Sequence, residues 1–185
     1  MAQSRKKTIL EGVQRRRRQR AIISAVVTII LIAIVVVGVY ALFGPKSEYR
    51  QTIPNNVGLS SSCTRPLHTH DDTGTIHVET NQNVNYTIGD FFLIWGKVFN
   101  SSGIFPDTQP LPSYLNVCVP SNATLLYHSH PTLTIIYNTK APSTITMTVN
   151  GNPSTEMQNF PLPRDSSANP ASIVITYGPG VPASF

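Results

Sequence analysis

Residues 21–43 read AIISAVVTIILIAIVVVGVYALF, a run of 23 residues without a charged side chain. A helix that rises 1.5 Å per residue crosses a hydrocarbon layer of about 30 Å with a run of this length. The run therefore predicts a transmembrane helix. The alternative is a cleavable signal peptide with Val39-Tyr40-Ala41 as its cleavage site, but the run exceeds the usual apolar core of such peptides.

The charges beside this run predict its orientation. Residues 1–20 contain eight Lys and Arg side chains and one acid, Glu11, which gives a net charge of +7. Basic flanks stay on the cytoplasmic side of a membrane. We therefore expect a single-pass protein whose partner is the bilayer, with residues 1–20 as a cytoplasmic segment and the C-terminal domain outside the cell.

The rest of the chain has a different charge balance. After residue 20 it carries six basic and eight acidic side chains, and the basic ones are scattered along the sequence. This pattern excludes a clustered basic surface, so we predict no nucleic-acid partner. The 142 residues of 44–185 are enough for one domain. Polar, proline-containing residues 44–62 predict a stalk, and residues 63–185 predict an extracytoplasmic β-rich domain.

Short periodic segments predict the fold class. Thr75 to Glu79 alternates polar and apolar side chains, which is typical of a half-buried strand. Thr87 and Asp90 form a capping-box pattern before an apolar run that ends at Gly96, and this indicates one short helix. We predict a mainly β (α+β) domain, β-grasp-like or a small β-sandwich. Further strands are predicted over 133–137, 144–149 and 173–177, and a loop over 101–120.

Both cysteines and three glycosylation sequons fall in the predicted exterior part. Cys63 and Cys118 predict a disulfide, because paired cysteines outside the membrane are usually oxidised. Free thiols, or Cys118 as a copper ligand, are the alternatives. Asn85, Asn100 and Asn122 begin Asn-x-Ser/Thr sequons and are candidate glycosylation sites.

The histidines are the main indication of chemistry. They form two groups, and all are candidate metal ligands: His68, His70 and His77, then His128 and His130. Residues i and i+2 of a strand share a face. A hairpin with a four-residue loop over Asp71-Asp72-Thr73-Gly74 would pair His68 with His77 and His70 with Thr75. Three imidazoles would then converge.

Three neutral imidazoles favour copper or zinc over the hard ions Ca²⁺ and Mg²⁺. Glu79 lies one step further on the same face, and Asp71 and Asp72 in the turn are possible additional ligands. The alternative interpretation is a polar surface without metal. Whether the second His-x-His pair joins the first depends on folding that the sequence does not specify.

Three functions compete. The first is a metal-binding module that takes Cu or Zn through the histidine hairpin. The second is an accessory or structural subunit of a membrane-protein complex or surface layer, since the sequence has no phosphate-loop, nucleophile-elbow or His-Glu-x-x-His pattern. The third is a zinc hydrolase or hydratase with His68, His70 and His77 as ligands and Glu79 as base.

The chain also resembles a known family. The segments that carry the resemblance are LHTHD at 67–71, GTIHVE at 74–79 and TIGDFFLIWG at 87–96, with C-terminal matches at 146–151 and 173–178. They are similar to uncharacterised membrane-anchored proteins exported by archaea and bacteria. The resemblance implies export and a membrane anchor. It implies no particular activity. The basic N-terminus and the exterior part, which is rich in sequons, Thr and Asn, favour an archaeal source.

Overall fold

The computed structural model describes residues 2–43, 47–165 and 171–185. It divides into two compact units, Met1–Lys46 and Ser47–Phe185. The first unit is helical. The second is β-rich, with several sheets and one short α-helix, so the mainly β (α+β) prediction is confirmed.

The first unit consists of helix α1, Ala2–Phe43. Within it, Arg17–Tyr40 is long and apolar enough to cross a membrane, and its most apolar 18-residue window has a mean hydropathy of 3.2. The large apolar side chains from Ile22 to Tyr40 are exposed. A helix that is apolar on all sides and unburied needs an apolar environment, so its length and composition fit a membrane span.

The second unit contains twelve short strands and two helical segments in its described residues. The strands are β1 (Glu48–Gln51), β2 (Leu59–Ser60), β3 (Cys63–Thr64), β4 (Leu67–His68), β5 (His77–Thr80), β6 (Lys97–Asn100), β7 (Gly103–Pro106), β8 (Tyr127–Ser129), β9 (Thr132–Asn138), β10 (Ile145–Val149), β11 (Asn152–Ser154) and β12 (Ser172–Tyr177). The helical segments are α2 (Ile88–Ile94) and a 3-10 turn at Met157–Asn159.

The largest sheet has five strands in the order β1-β9-β12-β10-β11. Strands β9 and β12 are parallel, and the other neighbours are antiparallel. The Asn150-Gly151 pair predicted as a tight turn joins β10 to β11, with positive φ at both residues. The predicted strands at 133–137, 144–149 and 173–177 all lie in this sheet.

A second sheet, β4-β5-β8, positions the histidines. Its central strand is β5. Val78 in this strand and Ile76 just before it are both buried. They belong to one hydrophobic core with residues of the five-stranded sheet, such as Leu133 and Ile135. Packing of Ile76 and Val78 in this core therefore holds the β4-β5-β8 sheet in place.

Helix α2 begins at the predicted capping box. The Thr87 hydroxyl accepts a hydrogen bond from the Asp90 amide at 3.2 Å, and the Asp90 carboxylate accepts one from the Thr87 amide at 2.8 Å. The helix buries Phe91 and Phe92 and packs mainly against β6, the 3-10 turn and β4. The prediction of one short α-helix is confirmed within the described residues.

Two predicted irregular segments contain regular structure. Most of the predicted stalk, 44–62, belongs to the folded unit: β1 pairs with β9, and Ile53 and Val57 are buried. Residues 44–46 lie outside the described residues. The predicted loop 101–120 contains β7, which pairs with β6. Both strands were missed because they are short and lack clear alternation, so tertiary pairing rather than local pattern defines them.

Candidate metal centre

The hairpin register predicted for the first histidine group is present. Strands β4 and β5 are antiparallel, with Leu67 opposite Val78 and His68 opposite His77. The predicted pairing of His70 with Thr75 is wrong, because the β4–β5 ladder ends at the His68–His77 pair. The connection is therefore a longer loop than the predicted four residues, and His70 reaches the cluster from that loop.

The loop is held by its own turn residues. The Asp71 carboxylate accepts hydrogen bonds from the Thr73 amide at 3.0 Å and the Thr73 hydroxyl at 2.6 Å. These bonds lower the pKa of Asp71. Asp71 and Asp72 are exposed and belong to neither of the ligand groups found among the described residues. Their observed surroundings are those of turn residues.

Strand β8 brings the second histidine group to the first. It pairs with β5 so that Glu79 is opposite His128, and Val78 is opposite Ser129. The same register holds at the Thr75–Thr132 bridge. It therefore places His130 opposite His77, and a row of three histidines, His68, His77 and His130, crosses the sheet.

The five imidazoles form one continuous cluster. The ring centroid of His77 lies 5.2 Å from that of His68, 4.4 Å from that of His70 and 4.5 Å from that of His130. The His128 and His130 centroids are 4.7 Å apart. His77 is the only member of the described cluster that belongs to both candidate ligand groups.

The candidate ligand atoms fall into two groups of three. One nitrogen each of His68, His70 and His77 lie within 4.8 Å of one another. An oxygen of Glu79 and one nitrogen each of His77 and His130 satisfy the same limit. Three side chains at this spacing can converge on one ion with small rotations, since zinc–nitrogen bonds are about 2.0–2.1 Å long.

The surroundings of His68 fix which of its nitrogens is available. Its Nδ1 lies 3.0 Å from the carbonyl oxygen of Arg65. A carbonyl only accepts, so Nδ1 of the neutral ring carries the proton and Nε2 keeps the lone pair. His68 is 1% exposed. Burial lowers the pKa of His68 to about 4, so the ring is neutral at pH 7.

His77 has a similar arrangement with a carboxylate. Its Nδ1 lies 3.4 Å from Oε1 of Glu79. Partial burial lowers the pKa of His77, with the other histidines opposing its charge and Glu79 favouring it. A neutral His77 that donates from Nδ1 to Glu79 has its lone pair on Nε2. Carboxylates and carbonyls that hold the non-ligating nitrogen in this way are usual around metal-bound histidines.

Glu79 also connects the two histidine groups. Its Oε1 is 3.4 Å from Nε2 of His128, in addition to its contact with His77. The His128 side chain is 54% exposed, whereas that of Glu79 is 25% exposed. The sequence indicated Glu79 on the correct face, but its contact with His128 depends on the β5–β8 pairing. Neither the length nor the register of that pairing has a local sequence signal.

The other predicted sites lie away from this cluster. Cys63 and Cys118 form a disulfide, as predicted, and this leaves neither thiol available as a copper ligand. Asn85 and Asn122 are exposed. Asn100 is partly buried, and its side-chain oxygen accepts a hydrogen bond from the Ser102 amide at 2.8 Å.

Comparison of the chain with family models, curated proteins and solved structures gives no match.

Proposed function

We propose that this protein is a membrane-anchored, extracytoplasmic metal-binding module that holds a divalent copper or zinc ion through His68, His70 and His77. The observation that carries the proposal is the convergence of three imidazoles, with one nitrogen each of His68, His70 and His77 within 4.8 Å of one another. Hydrogen bonds at Nδ1 of His68 and His77 leave Nε2 as the ligand atom on each ring. Both rings have a lowered pKa, so little proton competition opposes binding at neutral pH.

The chemistry of the donors supports copper or zinc. Imidazole suits both ions, while Ca²⁺ and Mg²⁺ need several oxygen ligands. Cu(II) stands above Zn(II) in the usual affinity order of divalent ions, so we propose copper as the ion that binds more tightly. Glu79 would act as a positioning residue that orients His77 through Nδ1.

The exterior location is part of the same proposal. The +7 charge of residues 1–20 favours a cytoplasmic N-terminus, and the Cys63–Cys118 disulfide favours an oxidising compartment for the folded unit. The resemblance of residues 67–96 to exported, membrane-anchored archaeal and bacterial proteins supports that location, and we propose membership of that family.

A zinc hydrolase or hydratase is a second candidate, because three histidines leave one position open for water. In the structure, Glu79 contacts His77 and His128, which suits a positioning role better than the role of a base. An accessory subunit of a membrane or surface complex needs no metal. Stoichiometric metal with an exchangeable water would support the enzyme, and absence of metal binding would support the accessory role.

The test is a competition titration of the full chain in detergent micelles with Cu(II) and Zn(II). We expect binding tighter than about 10 μM, with a large loss for alanine at His68, His70 or His77. Ile76→Val is the matched control, because Ile76 is buried on the opposite face and has no ligand atom. It should lower stability by about 1 kcal/mol and leave affinity unchanged.

Two results would contradict the proposal. One is wild-type protein that binds neither ion tighter than about 10 μM. The other is a His77→Ala variant with wild-type affinity. The accessory-subunit function would then become the better explanation of the anchored domain.

A further inference from the structure

His77 stands between two sets of ligand atoms. On one side are His68 and His70, and on the other are Glu79 and His130. The two sets differ in exposure and in chemistry. The first contains only imidazoles, from the buried His68, the exposed His70 and the half-buried His77. The second contains a carboxylate and consists of three half-buried side chains.

The second set has distances suited to a bound ion. Two atoms that bind one tetrahedral zinc ion lie about 3.3 Å apart, given bonds of about 2.0–2.1 Å. Nδ1 of His77 and Oε1 of Glu79 are 3.4 Å apart, which matches that edge. The His130 ring approaches His77 from the opposing strand, with a centroid separation of 4.5 Å.

The contact of His77 with Glu79 is the basis for assigning a different nitrogen of His77 to each set. Toward His68 and His70, His77 would bind through Nε2 while Nδ1–H donates to Glu79. In the set with Glu79, the nitrogen beside the carboxylate is Nδ1. A neutral imidazole has one lone-pair nitrogen at a time. His77 could therefore bind ions of both sets at once only by losing its remaining N–H proton.

Charge opposes filling both sets together. The two ligand groups of the described residues contain one carboxylate between them, that of Glu79. Two divalent ions separated by roughly the width of one imidazole would repel each other strongly at such short range. One negative charge does not offset that repulsion, and histidine ligands add none.

We propose that the protein has two alternative, mutually exclusive metal sites that share His77: an inner site of His68, His70 and His77, and an outer site of His77, Glu79 and His130. The proposal rests on the proposed metal-binding function and adds a second position for the same ion. The tautomer of His77 decides which site is filled. An ion that moves between the outer and inner positions leaves one nitrogen of His77 and binds the other, and the ring proton moves through water to the nitrogen that the ion has left.

The test uses the full chain in detergent micelles, with Cu(II) as the probe. Native mass spectrometry gives the number of ions, and electron paramagnetic resonance reports the bound nitrogen and oxygen donors. We expect one ion in the wild type. His68→Ala should still bind one ion, weakened by no more than about 100-fold, with carboxylate oxygen among its donors.

Double variants separate the outer site from a general loss of histidines. His68→Ala/His130→Ala should lose the remaining binding. His68→Ala/His128→Gln is the matched control, since His128 lies two residues before His130 and belongs to neither ligand group among the described residues, and glutamine keeps a donor for Glu79. That control should keep the affinity of the single variant. His70→Ala can replace His68→Ala throughout if the buried position does not tolerate alanine, because His70 is exposed.

The outcomes distinguish this inference from the proposed function. Two ions in the wild type would overturn mutual exclusion. Equal loss in the two double variants, or no binding in both His68→Ala and His70→Ala, would overturn the outer site while the inner site stands. A wild type that binds no copper would overturn the proposed function and this inference together.

Discussion

At the scale of single residues, neighbours rather than the imidazole itself determine what each histidine can do. His68 is buried and donates from Nδ1 to a carbonyl, whereas His128 is exposed and its ring contacts the Glu79 carboxylate and the His130 ring. The same side chain is therefore buried with a defined tautomer at one position and exposed to solvent at another. Burial disfavours the charged form of His68, so protonation of this ring costs the folded protein stability.

This cost predicts acid sensitivity of the metal-free protein. The pKa of His68 is about 4 in the folded state and 6.5 when unperturbed. Between pH 6.5 and about pH 4, His68 is protonated in the unfolded chain but neutral in the folded protein. The free energy of unfolding therefore falls as the pH is lowered through this range. We expect His68 to account for a loss of roughly 2 kcal/mol between pH 7 and pH 4.5.

Urea unfolding of the full chain in micelles with a chelator, at pH 7 and pH 4.5, measures this loss. His68→Leu should remove most of it, since leucine fills the site and does not titrate. His128→Leu should keep the wild-type pH dependence, because that ring is exposed. If the three proteins lost equal stability on acidification, burial of His68 would not be the cause.

At the scale of the elements, strand β5 separates the site from the core. His77 and Glu79 point to the histidine cluster, while Ile76 and Val78 are buried on the other side. This alternation follows from the two-residue period of a strand, and the sequence showed it. The strand is held between β4 and β8, so its side chains face histidines from both neighbours.

The loop before β5 depends on one glycine. Gly74 has φ +87°, and a Cβ there would lie 2.1 Å from the carbonyl oxygen of Leu133. That carbonyl belongs to a strand of the main sheet, so it cannot move easily. We expect Gly74→Ala to displace the loop that carries His70 and to destabilise the folded unit by about 2–3 kcal/mol.

Gly151→Ala is the matched control for this prediction. Gly151 has φ +79° in the β10–β11 turn, but a Cβ there would meet no atom within 4 Å. Its replacement should cost only the backbone strain, about 1 kcal/mol. Thermal or urea unfolding compares the two variants, and equal losses would show that contact with Leu133 is unimportant.

The sequence predicted those features that have a local cause. The capping box at Thr87, the turn at Asn150-Gly151 and the His68–His77 register each depend on residues within about ten positions of one another. The contact between the two histidine groups joins residues about 50 positions apart. No local pattern specifies it, so the sequence left open whether they meet, and the β5–β8 pairing brings them together.

At the scale of the whole molecule, two units have different physical requirements. The apolar part of α1 exposes its side chains and is long enough to cross a membrane, whereas Ser47–Phe185 has its own buried core and a disulfide. That disulfide closes a loop of 55 residues and can contribute about 4 kcal/mol by restricting the unfolded chain. Such a bond persists only where the surroundings are oxidising.

The lysines allow a direct test of orientation. The sequence has five: Lys6, Lys7, Lys46, Lys97 and Lys140. Lys140 is exposed on the folded unit, and Lys6 and Lys7 lie in the basic segment before the apolar run. If the basic flank is cytoplasmic, an amine reagent that cannot cross membranes should modify Lys140 in intact cells and should reach Lys6 and Lys7 only after permeabilisation. Mass spectrometry of the labelled peptides reads both sites in one sample.

Two results would contradict the expected topology. Labelling of Lys6 and Lys7 in intact cells, with Lys140 protected, would show the opposite orientation. Absence of the N-terminal peptide from the purified protein would show that the apolar run is cleaved as a signal peptide.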